Sequence, residues 1–388
     1  MRISGRLPPS LLPTAFSKAV EQRRGVLDFL DLTVSNPTSC GFDFGSEAWR
    51  HALASSEVLR YQADPCGSFK ARSSIAAHHG CGALPQDVVL TASTSEAYSW
   101  LFKLLCDPGD QVLVPSPSYP LFEHLANLEG VEAVKVSAYF HERWCLDLPA
   151  LETACGPRTR AILVVNPNNP SGQFLSTKEW RNLTALCAQR DLALLVDEVF
   201  ADFALEPSAD SMLTALLDEA PPCPVFVLSG LSKVALLPQV KLGWILLRGK
   251  ARAYLDPLAF LADQYLSVSA SAQAAAAPAL KASLARRTQV AERAVSNLNC
   301  LDEMLKAYPH LARLPVEGGW SVLLRCPVLQ GTDAETSAQR LLEATSVLVY
   351  PGSFFDLPSE GYLVLSLLTP SEIFREGLAR ILPRLPVD

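Results

Sequence analysis

A chain of 388 residues, 49% hydrophobic and 19% charged, has enough apolar side chains to fill a large core and the length for two lobes. Its 33 basic and 40 acidic residues leave a net charge of −7 with no basic block, which argues against nucleic acid as a partner. No stretch approaches the ~18 apolar residues that span a bilayer, so no membrane partner is expected. Ten scattered cysteines without a CxxC pair read as reduced core thiols of a cytoplasmic protein, and they lack the spacing of a metal site.

The opening MRISGRLPPSLLPTAF is broken by prolines and reads as an N-terminal arm, not a signal peptide. From residue 87 onward, apolar strand-like runs alternate with helical ones. DVVLT (87–91) predicts a strand, and STSEAYSWLFKLL (93–105) a helix with Ser or Thr at its cap. Further strands are expected at 111–116, 159–167, 192–198, 225–230 and 242–247, with a helix at 176–190. Runs that are apolar on both faces and separated by helices imply a mostly parallel sheet covered on both sides. From about residue 271 the pattern changes to one or two long helices, with Pro278 as a kink or boundary. Strands at 318–325 and 362–368 then suggest a smaller α+β lobe, which residues near the N-terminus are expected to join.

Residues with chemical capacity fall at the ends of predicted strands, where open α/β sheets gather ligands. Lys233, in SGLSKVALLPQVKLGW, follows a strand in a Gly/Ser-rich turn. A lysine there is either an ordinary solvated side chain or, in an apolar pocket, a usable amine nucleophile. NPNNPSG (166–172) fixes a tight turn, and the Asn169 amide could also donate to a bound ring. Asp197 ends an otherwise apolar strand. A carboxylate buried there is costly unless paired, and a protonated pyridine nitrogen is one suitable partner, a helix cap or surface pair another. Ser93, Thr94 and Ser95 open a helix directly after a strand, an arrangement equally suited to ordinary capping and to holding a phosphate. Tyr119 in PSPSYP packs in the turn or stacks on a flat ring.

In chain order these five segments resemble the class I/II aminotransferases, the fold-type-I pyridoxal-phosphate (PLP) enzymes, from about residue 28 to the C-terminus. The lysine segment with NPNNPSG and VDEVF is the most specific part. The resemblance implies an α/β, PLP-dependent transferase-like fold. Residues 1–50 would form an arm and part of a small domain, 51–285 a large PLP-binding domain, and 286–388 the C-terminal small domain. It implies that Lys233 carries the cofactor as an internal aldimine and then moves the proton between substrate Cα and cofactor C4′. Asp197 would pair with the ring nitrogen, Asn169 would bond the phenolic oxygen, and Tyr119 would stack on the ring. Ser93, Thr94, Ser95 and Lys241 would hold the phosphate, with Lys241 standing where an arginine is usual. Tyr61 would reach the phosphate of a neighbouring subunit, which makes a homodimer the expected unit. The implied reaction moves an amino group from an amino acid or related amine to a 2-oxo acid in two ping-pong half-reactions. A PLP-dependent lyase on the same fold is the alternative, and a catalytically silent PLP-binding sensor the third.

The sequence departs from that family at three positions. Phe200 replaces the usual tyrosine that donates to the phenolic oxygen. Gly230 stands where many relatives have a phosphate-binding serine, a mild change. Val364, in YLVLSLLTP, stands where the family has the arginine that clamps the substrate carboxylate. Three readings follow: another cation substitutes, with Arg325 as the candidate; the substrate lacks an α-carboxylate; or the register shifts, although no arginine occurs in 361–374. The segment SNPT (35–38) is expected to close over the substrate. The six histidines fall outside the motif set, Trp320 is assigned to the pocket wall or the small-lobe core, and PGSFF (351–355) reads as a structural turn.

Overall fold

The strand-like runs assemble into one seven-stranded sheet in the computed structural model, which describes residues 4–8, 10–44, 48–80, 82–205, 220–326, 334–357 and 361–385. The strands are β1 (Val88–Thr91), β2 (Gln111–Ser116), β3 (Glu132–Ser137), β4 (Thr159–Val165), β5 (Ala193–Asp197), β6 (Pro224–Gly230) and β7 (Gly243–Gly249). Their spatial order is β1-β7-β6-β5-β4-β2-β3. Only β7 runs antiparallel to its neighbours, so the expected mostly parallel sheet is observed.

Alternate side chains of the central strands feed two cores. Ile162, Leu194, Val196 and Val227 pack on one face with Trp180 and Leu183 of helix α2 (Thr177–Gln189). Leu163, Leu195, Phe226 and Ile245 pack on the other with Leu101 and Phe102 of helix α1 (Thr94–Leu105). Burying each such side chain stabilises the fold by about 1.5–3 kcal/mol, so both faces must stay covered. Ser176 caps α2 reciprocally with Glu179, which sets where that helix starts. Strand β3 lies at the sheet edge with partly exposed residues, and its weak apolar signal left it out of the sequence expectation.

Helix α3 (Leu231–Val234) is a single turn after β6. Helix α4 (Ala270–Leu305) is one continuous helix with Pro278 inside it, not two helices divided there. Proline removes one helical N–H, but the buried Ala275, Ala276, Ala279 and Leu280 hold both flanks against the core. The same helix runs without a break past residue 285 into the smaller lobe.

That lobe carries an antiparallel sheet of β8 (Ala312–Arg313), β9 (Ser321–Arg325), β10 (Tyr350–Pro351) and β11 (Tyr362–Ser366), in the order β8-β9-β11-β10. The N-terminal segment does join it: Leu30 and Asp31 pair in parallel with Val347 and Leu348, and the Ser366 N–H donates to the Leu32 carbonyl at 2.7 Å.

The parallel register brings the ends of β4, β5 and β6 to one edge, with Val165 opposite Asp197 and Asp197 opposite Leu228. Because β7 runs the other way, it begins at that same edge, with Gly243 opposite both Gly230 and Thr91. Lys241, two residues before Gly243, is therefore delivered to the edge where Lys233 and Ser93 also emerge.

Candidate active site

A cavity of about 350 Å³ opens at this edge, between the large sheet and the smaller lobe. Ser93, Thr94, Ser95, Tyr119, Asn169, Asp197, Phe200, Lys233 and Lys241 all line it. These are nine of the ten residues the sequence pattern singled out for the cofactor. The tenth, Tyr61, is 79% exposed and borders a separate groove beside Trp100 and Leu266.

The Lys233 amine lies 4.8 Å from the Trp320 ring centroid and 5.6 Å from that of Phe200. Burial among these rings pushes its pKa down to about 8, while the nearby Asp197 carboxylate opposes the shift. More of the amine is therefore unprotonated near neutral pH than for an exposed lysine.

Asp197 is buried at the end of β5. Burial raises its pKa; the Tyr98 hydroxyl, the Val199 N–H and Lys233 act in the opposite direction. Tyr98 donates to Oδ2 at 2.6 Å and the Val199 N–H donates to Oδ1 at 3.0 Å. Two fixed donors hold the carboxylate in place where it meets the cavity. Tyr98 is buried mid-helix between Phe102 and Phe122, with ring centroids 6.1 and 5.1 Å away. No local sequence signal distinguishes it from a core aromatic.

At the other side of the cavity floor, Ser93 caps α1 by accepting the Glu96 N–H at 3.2 Å. Glu96 in turn accepts the Ala92 N–H at 2.6 Å, which fixes the turn. The helix start, with its aligned N–H groups, thus faces the same space as Lys241, whose backbone is in the left-handed region at φ 58°. Close backbone approach makes this corner possible. A Cβ on Gly243 would lie 2.9 Å from the Ser93 carbonyl carbon and 3.1 Å from the Thr94 nitrogen. A Cβ on Gly230 would lie 3.1 Å from the Gly243 Cα and the Leu242 oxygen, a physical reason for glycine where a serine is often found.

The side chain of Ser321 donates to Asn169 Oδ1 at 3.4 Å, which leaves the Asn169 NH₂ as the end available to a ligand. Phe200 has no hydroxyl to offer and packs edge-on against Trp320, with centroids 5.2 Å apart. Of the two places considered for it, Trp320 takes the first: it lines the cavity and is buried against Phe200 and Phe203 of the large domain, outside the small-lobe core.

The substrate-facing wall differs from expectation in two places. Arg325 is exposed at the far end of β9 and does not line the cavity, whereas Ser321 at the near end does. Four residue-to-residue steps of strand separate them, roughly 13 Å, so Arg325 does not replace the missing clamp. PGSFF is more than a structural turn: Phe355 lines the cavity, and its carbonyl accepts the Ser118 N–H at 3.0 Å, tying the lobes together. Thr33, Tyr350 and Ser366 also belong to the wall and were missed; they come from segments with no motif of their own. Ser35 of SNPT lines the cavity as expected, and no histidine does. Val364 is buried in the wall, as its strand register requires.

Taken together, the edge offers an amine, a buried carboxylate and a helix N-terminus with a lysine, all facing one space. This is the donor set a phosphorylated, protonated heteroaromatic aldehyde requires, so the residues present fit PLP. Residues 28–381 match the family described as aminotransferase class I and II. Bovine tyrosine aminotransferase is 26% identical over 351 residues, covering 87% of this chain and 76% of that protein. A solved aspartate aminotransferase from Thermus thermophilus superposes with a TM-score of 0.84 at 27% identity over the whole of both chains. An alanine aminotransferase from Pyrococcus furiosus shares the fold with a TM-score of 0.87, at 24% identity and 99% coverage of each chain.

The chain belongs to the class I and II aminotransferase family. It is an aminotransferase of fold type I, and neither the lyase nor the silent-sensor alternative is favoured by these relatives. The family implies pyridoxal phosphate as cofactor, with amino acids and 2-oxo acids as its usual substrates. Among the described residues no helix is long and apolar enough to cross a membrane.

Proposed function

We propose that this protein binds PLP through Lys233 and transfers an amino group from an amino acid or related amine to a 2-oxo acid, in two half-reactions at one site. The observation that carries the reading is the shared cavity: the Lys233 amine, the buried Asp197 carboxylate and the α1 start with Lys241 all line it. Bound there, the cofactor supplies an electron sink for carbanion character at the substrate carbon. Lys233 then moves the proton at that carbon. Asp197, fixed by Tyr98 and Val199, keeps the ring nitrogen protonated. Asn169 donates to the ring's phenolic oxygen, Tyr119 covers one ring face, and Ser93, Thr94, Ser95 and Lys241 hold the phosphate.

The high exposure of Tyr61 and its distance in the fold from its own chain's cavity support a homodimer in which this tyrosine serves the neighbouring site. Residues 1–50, 51–285 and 286–388 serve as arm with part of the small domain, large domain and small domain, with α4 linking the last two. Nine free cysteines among the described residues support a reducing, cytoplasmic location.

The test is spectroscopic. Purified protein loaded with PLP should show a cofactor absorbance band that an amino donor bleaches and a carbonyl acceptor restores, and Lys233→Ala should abolish that cycle. A band unaffected by loss of Lys233 would rule the assignment out.

A further inference from the structure

The geometry points to a substrate that lacks a carboxylate on the carbon bearing its amine: a primary amine with an apolar, flat body, exchanged with the corresponding aldehyde or ketone. This rests on the Lys233–PLP amino transfer of the functional reading above and narrows its substrates: donor and acceptor share the site, so the acceptor too is an aldehyde or ketone in place of the 2-oxo acid.

Among the described residues that line the cavity, the cations are Lys233 and Lys241. Both are committed to the cofactor, one by its amine and the other by its place beside the α1 start. The stretches outside the described residues carry a single basic side chain, Arg2. Asp197 already balances one positive charge on the ring, and a phosphate takes up Lys241. A further carboxylate would add a negative charge for which this chain's described cavity lining supplies no counter-ion.

The wall itself supports the same conclusion. Val364 is 3% exposed and faces the cavity from the strand that should recognise the substrate, paired with Leu323 on β9. Trp320, Phe355 and Tyr350 contribute aromatic surface, with the Tyr350 and Phe355 centroids 6.1 Å apart. Of the hydroxyls nearby, Ser366 donates to the Val34 carbonyl at 2.5 Å and Ser321 donates to Asn169. Both are occupied in holding the protein's own structure. A wall of this kind gains from covering apolar area and gains nothing from a charge.

The exchange balances without an outside oxidant. A substrate R–CH₂–NH₂ becomes R–CHO while the acceptor carbonyl R′–CO–R″ becomes R′–CH(NH₂)–R″. Nitrogen and two electrons pass from the first to the second, and the carbonyl oxygen passes the other way through water.

Binding of unreactive analogues to the PLP-loaded protein separates the possibilities. The neutral probe is 3-phenylpropan-1-ol and its charged counterpart is 3-phenylpropionate, both followed by calorimetry. A carboxylate that leaves water with no charged donor to receive it loses at least about tenfold in affinity relative to a neutral hydroxyl. The alcohol should therefore bind at least about tenfold more tightly than the carboxylate. Val364→Arg should reverse that preference, and a melting curve will show whether this variant is folded. If it is not, the wild-type comparison decides alone. Equal or tighter binding of 3-phenylpropionate by the wild-type protein would overturn the inference, whether its cation came from this chain or a partner subunit. So would failure of both probes to bind. If the protein takes up no PLP, the functional reading itself fails, and that is seen before any probe is added.

Discussion

At the cofactor end of the cavity, three polar features have a defined support. Asp197 is held by Tyr98 and Val199, Asn169 by Ser321, and the α1 start by Ser93 and Glu96. At the substrate end, the wall is Val364, Trp320, Tyr350 and Phe355, contributed by the smaller lobe and neutral throughout. The first end comes from turns that leave one sheet edge; the second is assembled from strands and loops far apart in sequence. In the proposed function, chemistry is assigned to the sheet edge and selectivity to the lobe packed over it.

Four substitutions or conditions can break or sharpen that contrast. The largest effect is expected from Asp197→Asn, which takes the charge from a buried pair. Breaking such a pair costs about 3–5 kcal/mol, so the dissociation constant for PLP should rise at least about a hundredfold. Equilibrium dialysis of the variant measures it; an unchanged constant would mean that Asp197 does not face the cofactor.

Next is the pH dependence of cofactor capture by the apoprotein. Only the unprotonated amine reacts, and burial has lowered the Lys233 pKa to about 8. The capture rate should rise with pH and level off above pH 8, being about tenfold below its plateau at pH 7. Stopped-flow absorbance gives the profile. A rate that keeps rising to pH 10 would indicate an ordinary, solvated lysine.

Tyr98→Phe removes one donor from Asp197 while leaving its ring in the core. A hydrogen bond to a charged group of this kind is worth about 1.5 kcal/mol, so PLP affinity should fall about tenfold or less, with the melting temperature nearly unchanged. Parallel losses of affinity and melting temperature would point to a packing role only.

The smallest change is expected from Phe200→Tyr. A hydroxyl reaching the phenolic oxygen favours the deprotonated chromophore, so its apparent pKa should drop by about half a unit. Absorbance titration of both proteins checks the sign. A rise would mean that residue 200 does not reach that oxygen.

The difference between the two ends also explains what was legible in the sequence. Asp197, Asn169 and Lys233 sit on or just after β-rich runs, where an apolar strand stops and a polar residue stands out. Their placement follows from local pattern plus the rule that parallel strands share a ligand edge. Tyr98 was not legible, because in α1 it has the same spacing as the core aromatics Trp100 and Phe102. Phe355 and Tyr350 were not, because they reach the cavity only through antiparallel pairing of β10 with β11. Val364 was conspicuous as a departure, but whether Arg325 could compensate depended on the direction and length of β9. Pro278 shows the opposite limit: a local helix breaker is overridden by buried neighbours on both sides.

Lys233 alone is proposed to carry the cofactor. Borohydride reduction of the PLP-loaded protein, followed by peptide mass mapping, tests it most directly. One modified peptide is expected, the one containing Lys233, bearing the added mass of the reduced cofactor. Modification at Lys241 or at a surface lysine instead, with Lys233 untouched, would contradict it.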